Sequence, residues 1–371
     1  MKINGNREQL LQAFSAVASV APTRSPMPIL QNVKLDVSDD GATLLATDNE
    51  VSIRHAVSGV EVSAPGAALL PVGRFGSILR ESSDASLSIE SDGAKTLVRG
   101  ERSRFNLPAE NPTGFPSVAD FDAESYFEVP ARLLKEVIRR TIFATENESS
   151  RYALGGVKLE WADGVLIALG TDGRRLAKME GPVSAVGDPS PLGDATIVPA
   201  RALTLIDRAI SEDDAVIQFA VRQNELLVKS PKVVINARLL EGRFPRWREV
   251  LPQRNDSAKI DLLVGPFLAA VRQAMIVNTQ DSRGVDFTFG GGNVMLNANV
   301  ADAGDAHVEL PIGYDGPEIA IKLDPRYLAD FLKVLDSEKT FTFDVKDSDA
   351  AALAVTDDGY SYVLMPLARD R

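Results

Sequence analysis

Cysteine is absent from all 371 residues, which excludes disulfides and thiolate metal sites and suits a reducing cytosol. Histidine occurs twice, at His55 and His307, with no matching acid motif near either, so acid–base catalysis has no support. No glycine-rich loop follows a strand and opens a helix, so a nucleotide cradle is missing; Gly290-Gly291-Gly292 lies between two strand-like runs and reads as a hairpin. No apolar run approaches the roughly 20 residues that span a bilayer. Met1-Lys2-Ile3-Asn4 opens without an apolar core, so no secretory signal is expected. Positive charge is in deficit: 40 Lys and Arg against 52 Asp and Glu give a net charge of −12. That average surface repels phosphate, but it leaves open where the charges lie. What remains, 44% hydrophobic and 25% charged residues, is ordinary globular composition, and the length suggests two or three domains.

The chain is organised around residues 151–176, RYALGGVKLEWADGVLIALGTDGRRL. Val157–Trp161 alternates apolar and polar, Asp163-Gly164 suits a tight hairpin turn, and Val165–Leu169 runs back as a buried strand. A second Asp-Gly, Asp172-Gly173, turns the chain again and presents Arg174 and Arg175 beside Leu176.

Two other regions repeat this pattern. Short strands at Met1–Asn4, Tyr126–Val129 and Lys259–Val264 each precede a stretch with helical spacing: Arg7–Ser19, Ala131–Ala144 and Pro266–Val277. Strand pairs follow each helix. Every pass then repeats itself in smaller form, with Leu69–Pro71, Ile197–Pro199 and Ile319–Leu323 leading into Gly73–Glu81, Ala200–Ile210 and Pro325–Leu335. Strand pairs follow at Ala85–Val98, Ala215–Val228 and Thr340–Val355, the first turning at Asp92-Gly93 and the last at Asp357-Asp358-Gly359. Three passes fill the chain at a period of about 125 residues. The pattern predicts an α+β fold of three similar domains, 1–124, 125–254 and 255–371, each with two helices packed on antiparallel sheets.

The charge is unevenly placed. The six helical stretches together net +7, which leaves −19 on the rest of the chain. Helices gathered on one side would make that side tolerant of phosphate while the remainder repelled it.

Several motifs in order then resemble one family. They are Arg24 with Pro28-Ile29-Leu30, Arg151-Tyr152 with Leu154 and Gly156, and Thr171-Asp172-Gly173 with Arg175-Leu176. Glu241-Gly242-Arg243-Phe244-Pro245, Ser282-Arg283-Gly284-Val285 and Tyr362-Val363-Leu364-Met365-Pro366 complete the set. End to end the chain resembles the bacterial DNA polymerase III beta subunit, the sliding clamp. The resemblance implies the DNA clamp fold, with two chains closing head-to-tail into a ring, helices lining the hole and sheets outside. It implies a homodimeric processivity factor for DNA replication that encircles double-stranded DNA without reading sequence. Tethering a polymerase that way makes rebinding intramolecular. Such a subunit needs no cofactor or metal and carries no polymerase or 3′–5′ exonuclease activity of its own. It is expected in the cytoplasm, at the nucleoid, without membrane contact. Its partners are the DNA polymerase III alpha subunit, the clamp loader, other polymerases and repair proteins, which present short peptides with a glutamine followed by hydrophobic side chains.

Carried over residue by residue, the peptide cleft comprises Leu154, Thr171, Gly173, Arg174, Arg175, Leu176, Pro245, Val250, Tyr327, Val363, Leu364, Met365, Pro366 and Leu367. Arg175 is expected to anchor a carboxylate or carbonyl, and Met365 to deform around its ligand. DNA contacts fall on Arg24, Arg74, Arg80, Arg140 and Arg201. The ring interface pairs Arg74, Ile78, Phe105 and Leu107 with Met275 and Ile276. Met275 and Ile276 are adjacent, so on a helix one of them must point away from the core stripe. The chain departs from the family at Glu249, where a basic residue is common, at Ser282, where an aromatic gate is common, and at Asp324-Pro325 near Tyr327. Its tail, Leu367-Ala368-Arg369-Asp370-Arg371, replaces the family's apolar terminus. A repeat scaffold that binds proteins but not DNA is the alternative function; it would share the cleft but lack cationic helices on a common side.

Overall fold

The computed structural model describes residues 1–146, 153–193, 195–210, 216–253, 256–279 and 282–367. Arg151-Tyr152 and the tail beyond Leu367 lie outside them. Seven α-helices are described: α1 (Arg7–Ala18), α2 (Val72–Glu81), α3 (Ala131–Thr141), α4 (Ala200–Ala209), α5 (Trp247–Val250), α6 (Val264–Ala274) and α7 (Pro325–Lys333). All except the single-turn α5 emerge from a strand. Lys2–Asn6, Gly66–Pro71, Tyr126–Pro130, Ile197–Pro199, Ala258–Leu263 and Ile319–Leu323 run into α1, α2, α3, α4, α6 and α7. Six strand–helix units, two in each pass, are the repeat expected from periodicity.

Local chemistry fixes the starts. Asn6 caps α1 by accepting from the Glu8 and Gln9 amides at 3.1 Å each, as capping side chains do. Asp324 caps α7 by accepting from the Arg326 amide at 3.0 Å, with Pro325 at the first helical position, where a missing N–H costs nothing. The departure from the family at Asp324-Pro325 is therefore a helix start. α6 begins two residues before Pro266, which sits in the first turn, a position that proline tolerates.

The chain divides into two compact units. One holds residues 1–134, 183–191 and 201–239; the other holds 135–182, 192–200 and 240–371. The first contains a five-stranded and a nine-stranded sheet, the second an eight-stranded and a four-stranded sheet, all built from antiparallel pairs. Within the first unit, Val51–Val57 of pass one pairs with Val233–Arg238 of pass two, setting Ile53 opposite Ile235. Within the second, Arg175–Pro182 of pass two pairs with Tyr360–Leu364 of pass three, setting Leu176 opposite Val363. The strands of the middle pass are thus shared between the two units.

Sequence periodicity missed at least one strand in every half-pass, among them Val51–Val57, Arg104–Pro108, Val233–Arg238 and Gly304–Pro311. Gly304–Pro311 reads GDAHVELP and closes one edge of the four-stranded sheet, so it lacks the apolar run of a central strand. The Asp357-Asp358-Gly359 turn was expected to close Thr340–Val355. It joins Ala352–Val355 to Tyr360–Leu364 instead, with Gly359 at φ 85°. Asp163 and Gly164, at φ 52° and 79°, form the expected turn between Gly156–Ala162 and Val165–Thr171.

Stacked rings fill part of the core of the second unit. Phe331 of α7 is fully buried. Its ring stacks on Tyr362 at 5.0 Å and Tyr360 at 5.4 Å and meets Phe341 edge-on at 5.4 Å. Phe331→Ala should therefore cost about 3–5 kcal/mol and lower the urea midpoint of this unit, whereas Phe121→Ala, at a half-buried surface position, should leave it nearly unchanged.

Candidate functional site

The residues expected to form the peptide cleft all lie in the second unit. The turn at Thr171–Arg175 is built by its own side chains. Thr171 Oγ1 donates to the Arg175 carbonyl at 2.6 Å and accepts from the Gly173 amide at 3.1 Å. Asp172 Oδ1 accepts from the amides of Arg174 and Arg175 at 2.9 and 3.1 Å. Gly173 takes φ 85°, a conformation that L side chains rarely adopt. The terminal segment runs alongside: the Met365 amide donates to the Arg174 carbonyl at 2.9 Å and the Leu367 amide to the Lys322 carbonyl at 2.8 Å.

Arg175 is placed differently from the expectation of a ligand anchor. Its guanidinium is spent inside the protein: Nε on Asp172 at 2.9 Å, Nη1 on Asp330 at 2.9 Å and Nη2 on the Phe143 carbonyl at 2.7 Å. It also lies 4.4 Å from the Tyr327 ring centroid and 5.4 Å from that of Phe143. Burial opposes its charge, but Tyr362, Asp330 and Asp172 outweigh that and hold its pKa above the ordinary value. Arg175 is thus a keystone joining the 3₁₀ turn Ile142–Ala144 that follows α3, the Thr171 turn and α7. The cation left to a ligand here is exposed Arg174, whose pKa the neighbouring Tyr327 hydroxyl raises.

The apolar part separates into lining and support. Leu176 and Val363 are buried with Ile167, Leu169 and Trp247 in one cluster, against which Phe244 and Leu251 pack. Leu154, Thr171 and Leu364 are also buried. Pro245, Tyr327, Pro366 and Leu367 are half-buried. Val250 and Met365 stand out at 41% and 46% exposed, and an aliphatic ligand would cover them. Glu249 is exposed and pairs with Arg246 at 3.3 Å; Ser282 donates its amide to Thr279 Oγ1 at 3.1 Å.

Sequence reasoning missed the support beneath this surface. Glu160 accepts from Trp247 Nε1 at 3.0 Å and Arg248 at 2.8 Å, and Lys158 Nζ lies 2.7 Å away. Trp247, one of two tryptophans, lying between Pro245 and Val250, was the available signal. Burial pushes the Glu160 pKa up, but the three donors outweigh it and hold the carboxyl below its ordinary value.

The DNA-contact candidates sort by exposure. Arg24, Arg74 and Arg80 are exposed. Arg201 is exposed and paired with Asp48. Arg140 is a correction: it is 8% exposed, with Nε 2.8 Å from Glu136, Nη1 2.8 Å from Asp358 and its guanidinium over the Tyr360 ring at 5.2 Å. Its charge is neutralised inside the unit and cannot reach a phosphate. Burial opposes ionisation of Asp358, yet the Thr356 hydroxyl and Arg140 hold its pKa below the usual carboxylate range. The interface candidates sort likewise. Ile78 and Leu107 are buried within the chain, whereas Phe105 and Ile276 are 36% and 79% exposed. Arg74 is exposed and Met275 half-buried. Of the adjacent pair, Ile276 is the side chain that points outward. Among the described residues no cluster of three His, Cys, Asp or Glu could hold a metal, and no helix is long and apolar enough to cross a membrane.

A carboxylate with a depressed pKa stabilises the fold at pH above its unfolded value, and that contribution is lost as pH falls through the folded one. Glu160 and its partners therefore predict that Trp247 changes its environment below the ordinary carboxylate range. Tryptophan fluorescence against pH should show the transition. Glu160→Gln should abolish it; a transition unaltered in that variant would mean that other groups drive it.

Comparison with known proteins places this geometry. Profiles of the DNA polymerase III beta subunit match in order: its N-terminal domain over residues 1–119, its central domain over 128–246 and its C-terminal domain over 248–368. The beta sliding clamp of Chlamydia pneumoniae is 30% identical, with 99% of each chain covered. That of Escherichia coli strain K12 is 29% identical over 99% of this chain and all of the relative. Among solved structures, the DNA polymerase III subunit beta of Pseudomonas aeruginosa superposes with a TM-score of 0.91 at 27% identity, with both chains fully covered. The sliding clamp of Bacillus subtilis, at 22% identity, shares the fold with a TM-score of 0.92 over both full chains. Three consecutive profile matches, full-length relatives and an α+β fold of three repeats with helices on antiparallel sheets agree: the chain belongs to the DNA polymerase III beta subunit family, the bacterial sliding clamps of DNA replication.

Proposed function

We propose that two copies of this chain close head-to-tail into a ring around duplex DNA. The ring tethers the replicative polymerase and presents the cleft to the clamp loader, other polymerases and repair proteins. The protein acts in the cytoplasm, at the nucleoid, as a non-catalytic processivity factor.

The observation that carries this reading is a pair of open sheet edges. Arg104–Pro108 ends the five-stranded sheet and Gly304–Pro311 ends the four-stranded sheet. Open edges are covered in a stable protein or offered to another chain. Each has an apolar element beside it. Next to Arg104–Pro108, exposed Phe105 and the wall of α2 at Ile78 line a groove of about 710 Å³. Ile276, on the 3₁₀ turn Met275–Val277 that follows α6, projects near Gly304–Pro311. The two edges differ, so one copy's edge meets the other kind on its partner, and a heterologous contact of this sort closes a ring when its rotation permits.

Exposed cations on the helices, among them Arg74, Arg80, Arg132, Arg208, Arg272 and Lys333, suit loose phosphate contacts that position without reading sequence. A ring held by topology needs no tighter grip, and mobility along the duplex requires that there be none. The cleft supplies exposed aliphatic and thioether surface at Val250 and Met365 with one available cation, Arg174, which suits a short peptide with hydrophobic side chains.

Sedimentation at micromolar concentration should give a dimer, and Ile276→Asp should give a monomer; a monomeric wild type ends the ring reading. Loaded protein should stay on circular DNA and leave when the circle is cut. Equal retention on both forms would mean ordinary binding, and retention on neither would favour a protein scaffold. Met365→Ala should weaken a peptide carrying a glutamine followed by Leu and Phe by roughly tenfold, from the lost apolar contact; unchanged affinity would remove Met365 from the cleft.

A further inference from the structure

The turn that shapes the cleft is built twice in this chain. In the first unit, Thr47-Asp48-Asn49-Glu50 leads from Gly41–Thr47 into Val51–Val57, where the ladder to pass two begins. Thr47 Oγ1 donates to the Val51 carbonyl at 3.0 Å and accepts from the Asn49 amide at 3.1 Å. Asp48 Oδ1 accepts from the amides of Glu50 and Val51 at 3.0 and 2.7 Å. Asn49 takes φ 75°, a left-handed conformation that asparagine tolerates better than most side chains. The Arg238 amide donates to the Glu50 carbonyl at 2.9 Å. Each of these bonds has its counterpart at Thr171–Arg175, down to the amide that Met365 donates to the Arg174 carbonyl. The apolar support is repeated as well. Phe115-Pro116 follows pass one as Phe244-Pro245 follows pass two, each with a buried anchor three residues after the phenylalanine, Val118 and Trp247. Phe115 and Val118 pack with Leu45 and Leu69 in a cluster of their own.

Backbone geometry therefore does not separate the two places; side chains do. The ladder of the second unit sets Leu176 opposite Val363, both buried in one cluster with Trp247. At the same rung of the first unit Ser52 faces Asn236. Both are half-buried, and Asn236 donates to Glu225 at 2.9 Å. Exposed Glu50 stands in the place of exposed Arg174, and exposed Arg238 in the place of exposed Met365.

These exchanges reverse what the surface accepts. A Leu or Phe side chain gains apolar burial beside Leu176 and Val363. Beside Ser52 and Asn236 it would strip polar groups of water and return no hydrogen bond. A ligand carbonyl or carboxylate finds a charged donor in Arg174 and only repulsion at Glu50. Met365 adapts its shape to a neighbour, whereas Arg238 sets a charge at that point.

We propose, on the cleft reading above, that the first unit carries a latent second docking site for hydrophobic peptides, closed by four side chains: Glu50, Ser52, Asn236 and Arg238. Selection of one docking place by a chain that builds the turn twice then resides in these positions and not in the fold.

A graft tests this. Full-length protein carrying Glu50→Arg, Ser52→Leu, Asn236→Val and Arg238→Met is titrated calorimetrically with a synthetic peptide containing a glutamine followed by Leu and Phe. Wild type should take one peptide per chain and the graft two, with the second affinity within roughly tenfold of the first. A photoreactive phenylalanine analogue in the peptide should label the Met365 segment in wild type, and both that segment and residues 236–239 in the graft. A folded graft that takes one peptide, labelled only at Met365, overturns the latent site and leaves the cleft standing. Two peptides per wild-type chain overturn it as well, because the four side chains would then exclude nothing. A wild type that takes no peptide ends the cleft reading and the latent site with it. If circular dichroism shows the graft unfolded, Glu50→Arg/Arg238→Met, with both changes at exposed positions, replaces it: label at residues 236–239 upholds the latent site, and its absence overturns it.

Discussion

Main-chain ladders between repeats are the constraint on which this structure depends. Val51–Val57 with Val233–Arg238, and Arg175–Pro182 with Tyr360–Leu364, join successive passes by continuous antiparallel pairing. Backbone hydrogen bonds carry no side-chain identity, so the ladders survive wide sequence change, in keeping with full-length relatives at 30% identity. They also explain why the contact-dense units do not follow the repeats. The middle pass lends Tyr126–Pro130 and Val216–Arg238 to one sheet and Gly156–Pro182 to another. A repeat in sequence is therefore not an independent core.

The ladder at Arg175 also organises the candidate cleft. Its first rung sets Arg175 opposite Leu364 and its second sets Leu176 opposite Val363, so residues nearly two hundred positions apart in the chain become neighbours. Arg175 then fixes α7 through Asp330 and Tyr327. Fully engaged guanidinium groups are expensive to bury unless all their donors are met, and here each direction finds an oxygen or a ring. The rings beyond continue the support: Tyr362 donates to the Tyr327 carbonyl at 2.9 Å and Tyr360 to the Arg140 carbonyl at 2.8 Å. Burial raises the pKa of both phenols despite the nearby arginines, so they act as neutral donors.

The legible part of the fold was periodic. Helical spacing in Arg7–Ala18 and Pro325–Lys333, and the Asp163-Gly164 turn, are local signals that tertiary context did not override. Edge strands such as Gly304–Pro311 gave no signal, because one polar face and a short apolar face look like loop. Charge was legible only in sum. The basic character of Ala131–Thr141 is real in sequence, yet Arg140 turns inward to Glu136 and Asp358, a fact that depends on a turn more than two hundred residues away. The cleft was readable as a set of residue types, but not which of them face a ligand. Arg174 and Arg175 are identical in kind and adjacent, and the register of one strand pair sends one to solvent and the other to the interior.

The division of the middle repeat between two sheets bears on how the molecule can be cut. A fragment ending after the second repeat would strip Arg175–Pro182 of Tyr360–Leu364 and leave a long apolar border open to any passing chain. Proteolysis that respected the boundaries of the repeats would thus release pieces with unpaired strand edges. The strand pairing that ties the repeats together thereby sets which truncations of this chain can exist in isolation.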